Sequence, residues 1–143
     1  MTEISRSALL PYSQRCIYAL VNDVAAYPEF MAGCSSATVL SENEHHMQAR
    51  LDLSQVGVSI NFTTENILTP HESIQLRLVD GPFDQFEGTW AFVRLAETAC
   101  KVTLDLRFQL SGAVASAAAG TLINSVANNL VDAMCKRAKQ VYG

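Results

Sequence analysis

A chain of 143 residues, 49% apolar and 17% charged, has the size and composition of one domain and buries about two-thirds of its unfolded surface without disulfide or metal staples. Its net charge of −4 excludes broad electrostatic binding to nucleic acid and sets DNA aside as a partner. No apolar run approaches the ~20 residues that cross a bilayer. Met1-Thr2-Glu3-Ile4-Ser5-Arg6 lacks the basic start and apolar core of a signal peptide, so the chain reads as cytoplasmic.

In chain order, Thr2 to Leu10 suits a first strand, broken by Pro11-Tyr12-Ser13. Ser13 fits the N-cap of a helix that carries Ile17, Leu20, Val21 and Val24 at i, i+3, i+4 and i+7. Asp23 is a candidate cap for a second short helix bearing Tyr27-Pro28-Glu29-Phe30, and Gly33 releases the chain. From Ser36 to Leu110 the period changes to two. Met47, Ala49, Leu51 and Leu53 alternate with polar residues, as do Val58, Ile60 and Phe62, with Gln55-Val56-Gly57 as the turn between the runs. Ile74, Leu76 and Leu78 follow, then Phe86, Trp90 and Phe92 on one parity around Gly88. Val102, Leu104, Leu106, Phe108 and Leu110 form the cleanest alternation in the chain. Such runs joined by short connections predict an antiparallel meander, wet on one face.

From Ala113 to Tyr142 the period returns to 3.6, with no Pro and only Gly120 inside. Leu122, Ile123, Val126, Ala127, Leu130, Val131, Met134, Ala138 and Val141 share one half of the wheel. Roughly 30 residues at 1.5 Å each give about 45 Å of helix, enough to lie across a sheet. The stretch from Gly112 to Gly120 is built of small residues, which leave room under the helix or let it pack close. The fold class expected is α+β: a curved antiparallel sheet of about seven strands around one long C-terminal helix, with two short helices after the first strand, in a single domain over residues 1–143.

Catalytic signals are absent from this pattern. No Ser stands in a G-x-S-x-G elbow, and Gly81 and Gly88 are too isolated for a phosphate loop. His45, His46 and His71 fall in turns or at strand ends, and Asp52, Asp105 and Glu65 take the solvent parity of their strands. Cys16, Cys34, Cys100 and Cys135 are scattered without a C-x-x-C pair, which reads as reduced thiols and no metal site. Lys136, Arg137 and Lys139 cluster at the helix C-terminus, where cations complement the dipole.

What remains is an apolar lining, which is either ordinary core or the wall of a ligand pocket. The expected lining from the strands and loops is Phe30, Met31, Phe62, Phe83, Phe86, Trp90 and Phe92. The helix adds Leu122, Val126, Leu130 and Met134. Arg137 breaks the apolar arc; it either snorkels to solvent or meets a carboxylate or a ligand's polar group at the cavity mouth.

Several motifs carry a resemblance. Tyr27-Pro28-Glu29-Phe30 with Cys34, then Asp80-Gly81-Pro82-Phe83 with Gly88-x-Trp90-x-Phe92, then Arg137-Ala138 with Val141-Tyr142, resemble the signatures of the coenzyme Q-binding proteins of the START-like (polyketide cyclase/dehydrase) superfamily. The order holds along nearly the whole chain, and within the family the sequence is most similar to the bacterial ribosome association toxin branch. At Ala32-Gly33 it departs from the Pro-Trp that many quinone-binding relatives carry. The resemblance implies a helix-grip fold with a hydrophobic tunnel and two roles. The first is a non-enzymatic carrier of ubiquinone or a related polyprenyl lipid that supports respiration, with no required cofactor. The alternative is a translation inhibitor that binds the large ribosomal subunit and blocks subunit association. The partners implied are a hydrophobic small molecule, the large ribosomal subunit and a transient contact with the inner-membrane surface. A cyclase or dehydratase of the wider superfamily would need a catalytic acid or base inside the cavity.

Overall fold

A computed structural model describes residues 1–55, 57–112 and 117–143. The chain runs β1 (Thr2–Leu10), α1 (Gln14–Asn22), a 3-10 segment (Val24–Glu29), β2 (Cys34–Glu42), β3 (His46–Gln55), β4 (Val58–Thr69), β5 (Ser73–Asp80), β6 (Phe83–Ala96), β7 (Ala99–Leu110) and α2 (Ala117–Tyr142). The α+β order and the seven strands agree with the sequence reading. The helix expected from Ala113 is described from Ala117; Ala113, Val114, Ala115 and Ser116, and the middle of the expected turn at Val56, lie outside the described residues.

Local chemistry sets the boundaries. Ser13 is the N-cap of α1, and its hydroxyl accepts from the Cys16 N–H at 3.1 Å. Asp23 opens the 3-10 segment with its backbone carbonyl, which accepts from the Ala26 N–H at 3.2 Å; its side chain makes no cap bond. The carboxylate therefore does not have the capping role read from the sequence, because the segment closes on main-chain bonds alone.

All strand pairs are antiparallel, and the sheet order is β1-β7-β6-β5-β4-β3-β2. The meander β2 to β7 is thus extended at its far edge by the N-terminal strand. Register shifts in the β2–β3, β4–β5 and β6–β7 pairs mark bulges, which bend a strand and raise its twist. The inner face wraps α2. That helix buries Ala119, Leu122, Ile123, Ala127, Val131, Met134 and Ala138, a stripe at helical spacing. Val141, placed on the stripe by the wheel, is half exposed because the helix has run past the sheet there.

The outer face carries a ladder of alternating charge. Glu3, Arg107, Glu87, Arg77 and Glu65 are successive cross-strand partners on five strands. The Arg107 guanidinium lies 3.1 Å from Glu3 and 3.2 Å from Glu87, and His46 closes the row 2.9 Å from Glu65. Each such exposed pair contributes only about 0.2–1 kcal/mol.

Candidate functional site

Between α2 and the concave face of the sheet lies a cavity of about 80 Å³. Its walls come from the inward parity of the strands, with Leu53, Phe62, Phe86, Trp90 and Leu104 among them. Ile123, Val126, Ala127 and Leu130 of α2 form the roof, and Val24, Tyr27 and Met31 close one side. Ligand pockets span about 300–1,000 Å³, so the cavity as it stands is smaller than a site for a quinone.

Two polar side chains sit in this apolar wall. Thr64 and Asn66 follow Ile60 and Phe62 on the buried parity of β4 and are 7% and 5% exposed. The Thr64 hydroxyl donates to Asn66 Oδ1 at 2.8 Å, and Asn66 Nδ2 has only the Met47 sulfur, at 4.0 Å. A weak sulfur acceptor leaves that amide able to donate to a polar group in the cavity. Sequence reading stopped the β4 run at Phe62 and missed both residues. The signal was present: the alternation continues through Thr64, Asn66 and Leu68 with polar residues at core positions.

Among the described residues, the lining carries no carboxylate, imidazole or cationic side chain. Its one phenol, Tyr27, donates to the Val21 carbonyl, and burial pushes its pKa well above the ordinary tyrosine value, with the nearby Cys34 and Asp23 adding to the rise. His71 packs edge-on against Tyr18, with ring centroids 5.5 Å apart, and His46 is tied to Glu65. Both lie away from the cavity.

Of the residues expected to line the pocket, Met31, Phe62, Phe86, Trp90, Val126 and Leu130 do so. The others sit elsewhere for reasons of packing. Phe83 joins a ring cluster with Phe62, Phe86 and Phe108, at centroid distances of 5.5, 5.2 and 6.2 Å. Phe92 stacks on Trp90 and meets Tyr18 of α1 edge-on, one layer beyond the cavity. Leu122 and Met134 are 1% and 0% exposed and pack as core.

Phe30 and Arg137 line a separate open groove between the 3-10 segment and α2, together with Glu29, Asp132 and Lys136. The Arg137 guanidinium lies 5.1 Å from the Phe30 ring centroid and 3.8 Å from the Glu29 carboxylate. The cation–π contact and the ion pair give this charge a place beside an apolar stripe. Met31 and Val126 face both groove and cavity and form the partition between them. Gly33 lets the loop approach that partition closely. Its φ is +90°, and an added Cβ would stand 2.9 Å from Val126 Cγ2, so a left-handed backbone and close helix approach both require glycine there.

Among the described residues no helix is long and apolar enough to cross a membrane.

Known proteins share this geometry. The chain is 49% identical over 142 residues to the ribosome association toxin RatA of Pseudomonas aeruginosa, covering 99% of each chain. It is 50% identical to the protein of the same name from Vibrio cholerae, over 100% of this chain and 99% of that one. A coenzyme Q-binding protein, COQ10 homolog B from Xenopus laevis, is 26% identical over 99% of this chain and 59% of its own length. Among solved structures, a START superfamily protein from Mycobacterium smegmatis superposes with a TM-score of 0.79 at 22% identity, covering 97% of this chain and 98% of that one. The Zhui aromatase/cyclase of a Streptomyces species does so with a TM-score of 0.80 at 16% identity, covering 99% and 96%. The seven-stranded sheet gripping one helix is the START fold, and residues 10–135 match the family model for polyketide cyclase/dehydrase and lipid transport, so the chain belongs to that family.

Proposed function

We propose that this chain is a ribosome-directed translation inhibitor that binds the large ribosomal subunit and blocks subunit association. The observation that carries this reading is identity of about one-half, over the full length of both chains, to proteins named ribosome association toxins. The small volume of the cavity, about 80 Å³, is consistent with a protein that works through its surface. A lining without an ionisable group near neutrality speaks for binding and against cyclase or dehydratase chemistry, which needs a placed acid or base. The test is co-sedimentation of purified protein with large subunits, beside ribosome profiles of overexpressing cells. The expected result is protein in the large-subunit fraction and a loss of assembled ribosomes. A normal profile at high expression, with no co-sedimentation, overturns the reading.

A second reading is favoured by one specific feature, the apolar cavity with its Thr64–Asn66 pair, beside the distant likeness to a coenzyme Q-binding protein. In that reading Met31 and Val126 move aside, and the cavity takes up ubiquinone or another polyprenyl lipid. Mass spectrometry of lipids extracted from native protein tests it. A quinone at near-stoichiometric yield supports the carrier role, and a lipid-free extract together with no binding on titration removes it.

A further inference from the structure

Two side chains in the cavity wall carry hydrogens without a good acceptor. Asn66 is 5% exposed and lines the cavity. The Thr64 hydroxyl donates to its Oδ1 at 2.8 Å, which orients the amide and leaves Nδ2 as the free end. That Nδ2 carries two hydrogens, and its one neighbour is the Met47 sulfur at 4.0 Å, a weak acceptor at the limit of reach. Trp90, 2% exposed, lines the same cavity. Among the described residues its indole N–H has no hydrogen-bond partner, although a buried tryptophan ordinarily finds one.

The rest of the lining narrows the chemistry. Its two hydroxyls spend their hydrogens on the protein, Tyr27 on the Val21 carbonyl and Thr64 on Asn66. The side-chain hydrogens on offer are therefore those of Asn66 and Trp90. Among the described residues no charged side chain lines the space, so a carboxylate or an amine entering it would lose water and gain no counter-charge. A neutral oxygen acceptor on an apolar body fits both features: the oxygen takes a spare hydrogen, and the body meets Phe62, Phe86 and Leu104. Packing alone does not call for an amide at this position. Ile60, Phe62 and Leu68 share its parity on β4 and are buried apolar residues. A site built to hydrogen-bond an oxygen also discriminates, because an analogue without that oxygen leaves the donor stranded.

We propose that the cavity is a binding site for a neutral ring ketone, quinones included, in which Asn66 Nδ2 donates to the carbonyl oxygen while Thr64 holds the amide in place. The inference rests on the ligand-binding reading above, since a ring enters only when Met31 and Val126 yield. It adds to that reading the residue that selects the ligand's chemistry.

The experiment titrates the isotope-labelled full chain with acetophenone and with α-methylstyrene, which carries a CH2 group where acetophenone carries its oxygen. Trp90 is the chain's one tryptophan, so a single indole N–H signal in the NMR spectrum reads the cavity. Both probes are expected to move that signal. Wild type is expected to bind acetophenone about tenfold more tightly than α-methylstyrene, the worth of one hydrogen bond. The variant Thr64→Val/Asn66→Leu removes the donor and its holder together and strands neither. In it the preference is expected to vanish through weaker acetophenone binding, with α-methylstyrene unchanged, and the spread of backbone amide signals verifies the fold. Equal binding of the two probes by wild type overturns the inference and leaves the ligand-binding reading standing, because the cavity then takes rings without reading an oxygen. A preference that survives in the double variant overturns it as well, since another group then supplies the hydrogen. If neither probe moves the Trp90 signal, the inference falls, and a lipid-free extract of native protein takes the ligand-binding reading with it.

Discussion

Thr64 and Asn66 supply a quantitative test of the cavity. Their hydrogen bond, 2.8 Å long, is buried in an otherwise apolar wall. Removing one partner strands the other: Thr64→Val deletes the donor to Asn66 Oδ1, and Asn66→Leu deletes the acceptor of the Thr64 hydroxyl. An orphaned buried polar group costs about 1–3 kcal/mol, whereas replacing both partners by apolar groups of similar shape is nearly neutral. The double variant Thr64→Val/Asn66→Leu should thus be more stable than the sum of its singles implies, with a coupling of about 1–2 kcal/mol. In a chain of this size each kcal/mol moves the melting temperature by about 3–4 °C. Urea unfolding of wild type, both singles and the double closes the cycle, and unchanged m-values confirm that only stability has moved. Strict additivity would refute the reasoning, because it would mean that each group has another partner, such as water in the cavity.

Three further outcomes are expected. Val126→Trp drives an indole into the partition and the cavity; it should cost about 1–3 kcal/mol from overpacking and abolish any lipid co-purification, and an unchanged lipid yield would show that Val126 does not wall the ligand space. Ser13→Ala removes the α1 cap and should lower stability by about 1 kcal/mol, read by thermal melting. Burial raises the Cys34, Cys100 and Cys135 thiol pKa values; the folded state then holds protons that the unfolded state releases, so stability is full below the ordinary thiol range and declines as pH rises through it. Urea midpoints between about pH 7 and 10 check the sign, and a rise in stability across that range would contradict it.

Much of this fold is legible as periodicity. In β7 the residues from Val102 to Phe108 alternate without a fault, and all four apolar members are buried. The stripe of α2 is equally plain, except at Val141, where the wheel continues but the sheet does not. The site is less legible, because lining a cavity and lining a core require the same residue types. Met31 and Phe92 both face inward; only the path of α1 and α2 decides that one borders empty space and the other packs on Tyr18. Arg137 stands out in the sequence as a misplaced charge, but its partners Glu29 and Phe30 lie more than a hundred residues away along the chain, beyond the reach of local pattern.

The alternating charges on the outer wall also act as a reading frame for the sheet. Sliding an antiparallel strand by two residues keeps every apolar side chain facing α2, so the core alone does not forbid it. The outer face does discriminate. If β7 slips so that Asp105 takes the place of Arg107, it faces Glu3 on one side and Glu87 on the other. Two attractions become two repulsions, each about 0.2–1 kcal/mol. Individually weak surface pairs thereby mark one alignment of a sheet in which the last strand must find the first, some hundred residues upstream.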